Sequence, residues 1–144
     1  MVTIFKDLYT TSTPFYKEIA FILERIKTGK SKDLVEAIRN EKNKEKRDAL
    51  KIKLPAILFS GTFTNRNAKG LKEHSGYICL DFDKYESDKK MNADRKKFEK
   101  DEYTFAVFTS PSGNGLKLIV KIPPVVENHR DYFIALEKYY NSEN

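Results

Sequence analysis

Residues 77–83 read Tyr-Ile-Cys-Leu-Asp-Phe-Asp, an apolar run that ends in two acids separated by one phenylalanine. A short apolar run of this kind is typical of a strand that is buried on both faces. Successive side chains of a strand point to opposite faces, so Asp81 and Asp83 are predicted to project from the same face, away from Phe82. The stretch therefore predicts a core strand that ends in a pair of carboxylates.

Two carboxylates at this spacing can share a hard divalent cation, whose charge relieves their mutual repulsion. Magnesium usually takes one or two carboxylates and completes its coordination with water and phosphate oxygens. Such a site stabilises the attacking and leaving oxygens during nucleotidyl transfer. The alternative is a strand end whose acids cap a turn or face water, and a motif this short does not exclude it. Its place directly after an apolar strand favours a ligand site.

A second pattern lies downstream. Residues 104–109 (TFAVFT) predict a strand, and residues 116–122 alternate between apolar and other side chains, which predicts a second strand. Between them, residues 110–115 (SPSGNG) are dense in turn-forming residues. The two strands are therefore expected to form a hairpin across this turn.

The turn also has the composition of an anion site. Gly113 and Gly115 allow positive φ angles and a close backbone approach, and consecutive backbone amides in such a turn can form an anion-binding nest. Ser110 and Ser112 supply hydroxyl donors, and Lys117 places a positive charge at the start of the next strand. The alternative is a hairpin loop that needs its glycines only to turn. The spacing is not that of a P-loop.

The rest of the chain predicts an α+β fold, with a mainly antiparallel sheet and packed helices. A helix is expected from residues 12–14 to about Thr28, and a second begins after Ser31, with a polar continuation beyond Asn40 that is either an exposed helix or a frayed one. The remaining expectations are strands at 2–6 and 56–60, a loop at 61–70, a surface helix at 87–100 and a last helix at 129–140.

Composition restricts the class of protein. The 144 residues suffice for a single domain over 1–144, and the net charge of +6 favours anionic partners. The stretch from Lys27 to Lys53 contains ten basic and five acidic residues. This excess is consistent with a nucleic-acid-binding face or with a solvated helix surface. The single cysteine excludes a disulfide framework. With no membrane-length apolar run and no secretory signal, the chain is expected to be cytoplasmic and free of membrane partners.

Three stretches in order carry a family resemblance: LPAILFSGTF at 54–63, HSGYICLDFDKY at 74–85 and FTSPSGNGLKLIVKI at 108–122. Together they resemble the N-terminal domain of virulence-associated E (VirE) proteins of Bacteroides-type bacteria and their mobile elements. That domain is similar to the catalytic core of archaeo-eukaryotic primases and primase-polymerases.

The resemblance implies a primase-like nucleotidyl-transfer domain that acts in DNA replication of a mobile element. Asp81 and Asp83 match the catalytic, metal-binding motif and would hold Mg²⁺ or Mn²⁺. Ser110, Gly113 and Gly115 match the motif that binds the phosphates of a nucleoside triphosphate. The implied partners are that nucleotide, a DNA template, expected to be single-stranded, and a helicase-like domain or protein.

Two departures from the primase pattern bear on activity. Lys117 stands where the pattern has histidine, and the sequence after Ile122 offers no third metal-binding acid on a strand. We therefore expect a fragment that lacks its C-terminal portion and is inactive by itself. One alternative is a non-catalytic module that binds nucleic acid or a nucleotide and recruits a helicase-like partner. Another, a replication-initiator endonuclease, lacks the histidine-rich metal site that its chemistry needs.

A further group of basic residues precedes the acidic strand. Arg66, Lys69 and Lys72 lie in the predicted loop that leads to it, and they are candidate nucleic-acid-binding residues because they can contact template or phosphate. An exposed polar loop without such a role is the alternative for each of them.

Overall fold

Apolar stretches that are distant in the sequence pair as antiparallel strands in the computed structural model, which describes residues 1–142. The chain divides into two compact units, residues 1–75 (unit 1) and residues 76–144 (unit 2).

Unit 1 combines three short helices with two small sheets. The first sheet has the order β2-β1-β3, so β1 is its central strand, and the second consists of β4 and β5. The elements are β1 (Val2–Phe5), β2 (Phe15–Lys17), α1 (Ile19–Lys27), α2 (Lys32–Asn40), α3 (Lys44–Lys51), β3 (Ala56–Leu58), β4 (Gly61–Phe63) and β5 (Leu71–His74).

Thr3 joins the central strand of the first sheet to β4. Its side chain is fully buried, and a buried hydroxyl is costly unless it is hydrogen-bonded. The Thr3 hydroxyl donates to the carbonyl of Gly61 (2.7 Å) and accepts from the backbone N–H of Phe63 (2.9 Å). The Thr3 hydroxyl thus both donates and accepts a hydrogen bond inside unit 1. These two bonds connect β1, in the first sheet, to β4, in the second.

The prediction of a helix from residues 12–14 to about Thr28 is wrong in its first part. Residues 15–17 form β2, which pairs antiparallel with β1, and α1 begins only at Ile19. Aromatic residues such as Phe15 and Tyr16 favour strands. Pairing with β1 gives this segment the backbone hydrogen bonds that the predicted helix would have provided.

The predicted loop at 61–70 is also wrong in part, because Gly61–Phe63 form β4 and pair with β5. Lys72, expected in the loop that leads to the acidic strand, lies on β5. A Cβ atom at Gly61 would lie 2.2 Å from the carbonyl oxygen of Glu73. The glycine that suggested a loop instead permits the close approach of the two strands.

The charged stretch beyond Asn40 forms a separate helix, α3. The Asn43 side chain caps it by accepting from the backbone N–H of Lys46 (3.0 Å). None of the α3 residues is buried, so the charged side chains of this helix are accessible to solvent.

Unit 2 contains a three-stranded antiparallel sheet with the order β6-β8-β7. The predicted hairpin is confirmed, since β7 and β8 pair directly. The Ser87 side chain caps the predicted surface helix by accepting from the backbone N–H of Lys90 (3.2 Å). The elements are β6 (Tyr77–Phe82), α4 (Asp88–Lys100), β7 (Thr104–Thr109), β8 (Leu116–Lys121) and α5 (His129–Ser142).

One face of this sheet forms the core of unit 2 with side chains from α4 and α5. Phe82 packs on this core, whereas Asp81 is exposed. The alternation of β6 therefore places its acidic end on the face away from the core. The core residues are Ile78, Leu80, Met91, Phe98, Leu116, Leu118, Val120, Ile122 and Tyr140.

The predicted fold class is confirmed. Within residues 1–142 the chain has five α-helices, and every strand pair is antiparallel. None of the helices in that range combines the length and the apolar composition that crossing a bilayer requires.

Candidate functional site

Asp81 and Lys117 are direct neighbours across β6 and β8. The strand register pairs these two residues, and the next pair, Phe82 with Leu116, points to the core. The Lys117 ammonium donates to Asp81 Oδ1 at 2.8 Å. The lysine side chain is 32% exposed and the aspartate side chain 50%, so the ion pair lies at a partly hydrated surface.

This contact affects the charge of Lys117. Burial works against the ammonium form, but the hydrogen bond and negative charge of Asp81, with a smaller effect of Asp83, raise the pKa of Lys117 above its ordinary value. The lysine therefore remains a fixed positive charge on the same face as the two acids at any physiological pH.

The next row on this face contains Asp83, Gly115 and Ser110. An ideal Cβ atom on Gly115 would lie 2.9 Å from Asp83 Oδ1 and 3.1 Å from Ser110 Oγ. It would also lie 2.9 Å from the carbonyl oxygen of Phe82. Only glycine fits between these groups, and its missing side chain brings a carboxylate and a hydroxyl to either side of one small space.

The turn between β7 and β8 is closed by its own backbone. The Ser110 N–H donates to the Gly115 carbonyl (2.9 Å), and the Gly113 N–H donates to the Ser110 carbonyl (3.0 Å). Gly113 has φ +85°, which explains why glycine is needed there. Ser110 is buried, and its hydroxyl lies 3.5 Å from that of Ser112. The structure thus brings Ser110 and Gly115, two of the predicted phosphate-binding residues, next to Asp83.

Sequence reasoning missed Asp94, a buried acid on α4 that supports this turn. Asp94 accepts hydrogen bonds from the Tyr85 hydroxyl (2.8 Å) and the Lys90 ammonium (2.9 Å). Tyr85 in turn donates its backbone N–H to the carbonyl of Asn114 (2.9 Å). The i,i+4 spacing of Lys90 and Asp94 is visible in the sequence, but nothing in it signals that the acid is only 2% exposed.

The pKa of the Tyr85 hydroxyl reflects this anchoring. Burial raises it well above its ordinary value, and the hydrogen bond and charge of Asp94 raise it further. Tyr85 is therefore a neutral hydrogen-bond donor that holds the segment after the acid pair against α4.

The acid pair fits a cation that is shared with a phosphate ligand. Asp81 and Asp83 are exposed oxygen donors on one face, which suits a magnesium ion that keeps water and phosphate oxygens in its shell. Among residues 1–142, no three His, Cys, Asp or Glu side chains are placed to hold a metal ion together. Asp131 lies in α5, within the last helix predicted at 129–140, and so not on a strand beside the acid pair. The pair does not fit a metal site built by protein ligands alone.

Cys79 precedes the acid pair on β6 and is not an activated nucleophile. Burial raises the pKa of its thiol to about 12, and the nearby charge of Asp81 contributes to the increase. The thiolate, which is the reactive form, is therefore scarce at neutral pH.

The three predicted nucleic-acid-binding residues belong to unit 1. Lys69 lies in a short 3-10 helix over Ala68–Gly70 and Lys72 on β5, and both are exposed. Arg66 is half-buried and donates its backbone N–H to the carbonyl of Thr11 (3.0 Å). Its Nη1 is shielded from solvent and has no hydrogen-bond partner among the described residues. Lys69 and Lys72 therefore offer free surface charge, whereas part of Arg66 is enclosed.

The fold and this site define a small α+β protein with a paired-carboxylate face beside a glycine turn. A family model described as "BT4734-like, N-terminal domain" matches residues 49–142, more than half of the chain, so the chain belongs to that family. The match includes all the predicted site residues. Neither the curated proteins nor the solved structures contain a match to the chain.

Proposed function

We propose that this chain is a primase-like nucleotidyl-transfer domain of a mobile-element replication protein, related to VirE N-terminal domains and the primase-polymerase core. The arrangement of Asp83, Gly115 and Ser110 in one row beside Asp81 and Lys117 carries the proposal. It combines carboxylates that can bind a metal ion, hydroxyl groups that can donate hydrogen bonds and the positive charge of Lys117 on one face. A nucleoside triphosphate with a divalent cation is the ligand whose charges match this set.

Each side chain has a distinct task in this proposal. Asp81 and Asp83 hold Mg²⁺ or Mn²⁺, which when bound neutralises the charge that develops on the phosphate oxygens. Ser110 and Ser112 donate hydroxyl hydrogen bonds to a phosphate. Gly115 lets Asp83 and Ser110 approach each other closely, because any side chain there would push them apart.

Lys117 has two alternative partners in this scheme. Without a ligand it is bonded to Asp81, which compensates both charges. A bound triphosphate offers oxygens of higher negative charge to the same ammonium group. When Lys117 turns toward the phosphate, Asp81 becomes available as an oxygen donor, so nucleotide binding prepares the carboxylate for its own role.

The experiment measures nucleotide binding by calorimetry with and without Mg²⁺. Asp81→Asn with Asp83→Asn keeps the size of the side chains but removes both charges, and we expect it to abolish Mg²⁺-dependent binding. Glu99→Gln, which neutralises an exposed acid on α4, is the matched control and should bind like the natural protein. Undiminished Mg²⁺-dependent binding by the folded double variant would refute the assignment.

The proposal extends to partners and location. Template-directed transfer requires a DNA template, which we expect to be single-stranded, and a helicase-like domain or protein that exposes it. Replication of a mobile element takes place in the cytoplasm of a bacterium, which is where we place this protein.

Two observations favour a second candidate, a non-catalytic module that binds a nucleotide or nucleic acid and recruits such a helicase. Lys117 already neutralises Asp81, and the described residues supply no third metal-binding side chain. Primer synthesis by the full-length protein on a single-stranded template separates the two candidates. Synthesis that the double variant lacks supports the enzyme, whereas template binding without synthesis supports the module.

A further inference from the structure

Two phenylalanine rings are exposed close to one lysine on unit 1. Phe15 on β2 is 60% exposed, and Phe21 on α1 is 50% exposed. The Lys17 ammonium lies 5.0 Å from the centroid of the Phe21 ring, within the range of a cation–π contact. We call Phe15, Lys17 and Phe21 the β2 aromatic cluster.

The geometry of β2 puts these groups on one side. Phe15 and Lys17 are two residues apart on a strand and therefore project from the same face. Tyr16 projects from the other face, where its hydroxyl donates to the carbonyl of Phe63 (2.8 Å). β2 is an edge strand of its sheet, and both Phe15 and Lys17 are exposed.

The exposure of Phe21 contrasts with the burial of other apolar residues on the same helix. Ile19 and Ile22, which flank Phe21 on α1, are buried and form the apolar side of that helix. Phe21 lies outside that buried side, next to Lys17. Large apolar side chains grouped at a surface mark an interaction site more often than singly scattered ones do.

The charge of unit 1 narrows the class of ligand. Residues 1–75 contain 16 Lys and Arg against nine Asp and Glu, a net charge of +7, whereas residues 76–144 contain 11 against 12, a net charge of −1. The whole basic excess of the protein thus belongs to the unit that contains Phe15 and Phe21. A ligand suited to this unit is anionic and also presents flat apolar faces.

We propose that the β2 aromatic cluster is a stacking site for single-stranded nucleic acid, in which Phe15 and Phe21 contact bases and Lys17 contacts the intervening phosphate. Unpaired bases offer π-faces to aromatic side chains irrespective of sequence, and the backbone follows positive charge. In a duplex the base faces are covered by neighbouring base pairs, so the site discriminates against double strands. The site is independent of the nucleotide site proposed for unit 2.

Fluorescence anisotropy of a labelled oligothymidine of about 15 nucleotides, near the upper range of single-strand site sizes, tests the proposal. We expect the natural protein to bind it more tightly than a duplex of equal length. Phe15→Ala with Phe21→Ala should weaken binding roughly 10-fold or more, since each stacked base contributes measurably. The salt dependence of binding should stay unchanged, because no charge is removed.

Lys17→Gln provides the complementary readout. It should weaken binding and also lower the magnitude of the slope of log K against log salt by about 0.7, the value for one phosphate contact to a single strand. Phe133→Ala removes an exposed ring from α5 of unit 2 and is the matched control, for which no change is expected. Phe15→Leu with Phe21→Leu retains apolar bulk without a π-face and should be as weak as the alanine pair, which covers the case that the alanine pair fails to fold.

Several results would overturn the proposal. Equal affinity of the natural protein and the leucine pair for oligothymidine is one, and equal affinity of the natural protein for single strands and duplexes is another. Self-association of the natural protein, lost in the leucine pair without any effect on oligothymidine binding, would assign the rings to a contact between two copies. Mg²⁺-dependent nucleotide binding, measured in the same variants, should be unchanged, so failure here leaves the function proposed for unit 2 standing.

Discussion

Gly115 determines how closely the groups of the candidate site approach one another. Three oxygen atoms from Phe82, Asp83 and Ser110 surround the position that its side chain would occupy. Two of the three belong to side chains with a proposed role in ligand binding. A small residue at this point is therefore a requirement of packing even before any ligand is considered.

Gly115→Ala is expected to reduce the free energy of unfolding by about 1–3 kcal/mol, the usual cost of overpacking a tight site. The added methyl group must displace Asp83 and Ser110, so Mg²⁺-dependent nucleotide binding should fall as well. Asn114→Ala, at an exposed position of the same turn, is the control, since it keeps the Asn114 carbonyl that accepts from the Tyr85 backbone N–H. Urea unfolding measures stability, and a Gly115→Ala protein as stable as the control would contradict the packing argument.

The site could be predicted in part because its residues are local in the sequence. The alternation of a strand suffices to place Asp81 and Asp83 on one face, and turn composition suffices to place Ser110 and Gly115 in a hairpin. The pairing of Lys117 with Asp81 could not be predicted, because it depends on the register between β6 and β8. A shift of one residue would have turned Lys117 toward the core.

At the scale of elements, α4 is joined to the site by a polar network around the buried Asp94. Asp94 connects the Lys90 ammonium on the same helix with the Tyr85 hydroxyl in the segment after β6. Buried acids are stable only when they are paired and hydrogen-bonded, and Asp94 satisfies both conditions. The network therefore positions the segment that follows the acid pair.

Asp94→Ala should destabilise the protein by about 2 kcal/mol, because it leaves the Tyr85 hydroxyl without its acceptor. Lys90 is more than half exposed and can hydrate, so its share of the loss is small. Glu99→Ala, at an exposed position of the same helix, is expected to change stability by less than about 0.5 kcal/mol. Chemical denaturation of the two variants measures the difference, and similar midpoints would show that the network does not stabilise α4.

The elements of unit 2 were easier to predict than those of unit 1 for a physical reason. The hairpin of β7 and β8 is closed by a short turn, and the sequence of β8 alternates regularly between apolar and other residues. In unit 1, β1 pairs with β2 and β3, and β3 lies some fifty residues further along the chain. The three-residue strands β2 and β4 are too short to produce a pattern of their own, so tertiary pairing decides their conformation.

At the scale of the whole molecule, charge is divided unequally between the two units. Unit 1 has the basic excess and the exposed helix α3, whereas unit 2 is close to neutral and contains the acid pair. Polyanions bind by local charge density rather than by the net charge of the protein. The two units are therefore expected to contribute unequally to polyanion binding.

Two charge-reversal variants with the same net charge test this expectation. Lys42→Glu with Lys46→Glu changes unit 1, and Lys96→Glu with Lys100→Glu changes exposed positions of α4 in unit 2. The unit 1 variant should elute from immobilised heparin at clearly lower salt than the unit 2 variant, because it lowers the charge density that binds the polyanion. Elution of both at the same salt would mean that net charge alone governs retention.

The central position of β1 has a practical consequence for the family to which the chain belongs. The matched region begins at residue 49 and so includes β3 and β4 but not β1. A recombinant fragment cut at that boundary would leave the backbone of β3 unpaired on the side where β1 lies, and it would leave the Phe63 N–H without the Thr3 hydroxyl. Unpaired strands pair with strands of other chains, so such a fragment is expected to aggregate. The region matched by the family model is therefore shorter than the region that must be expressed for the protein to fold.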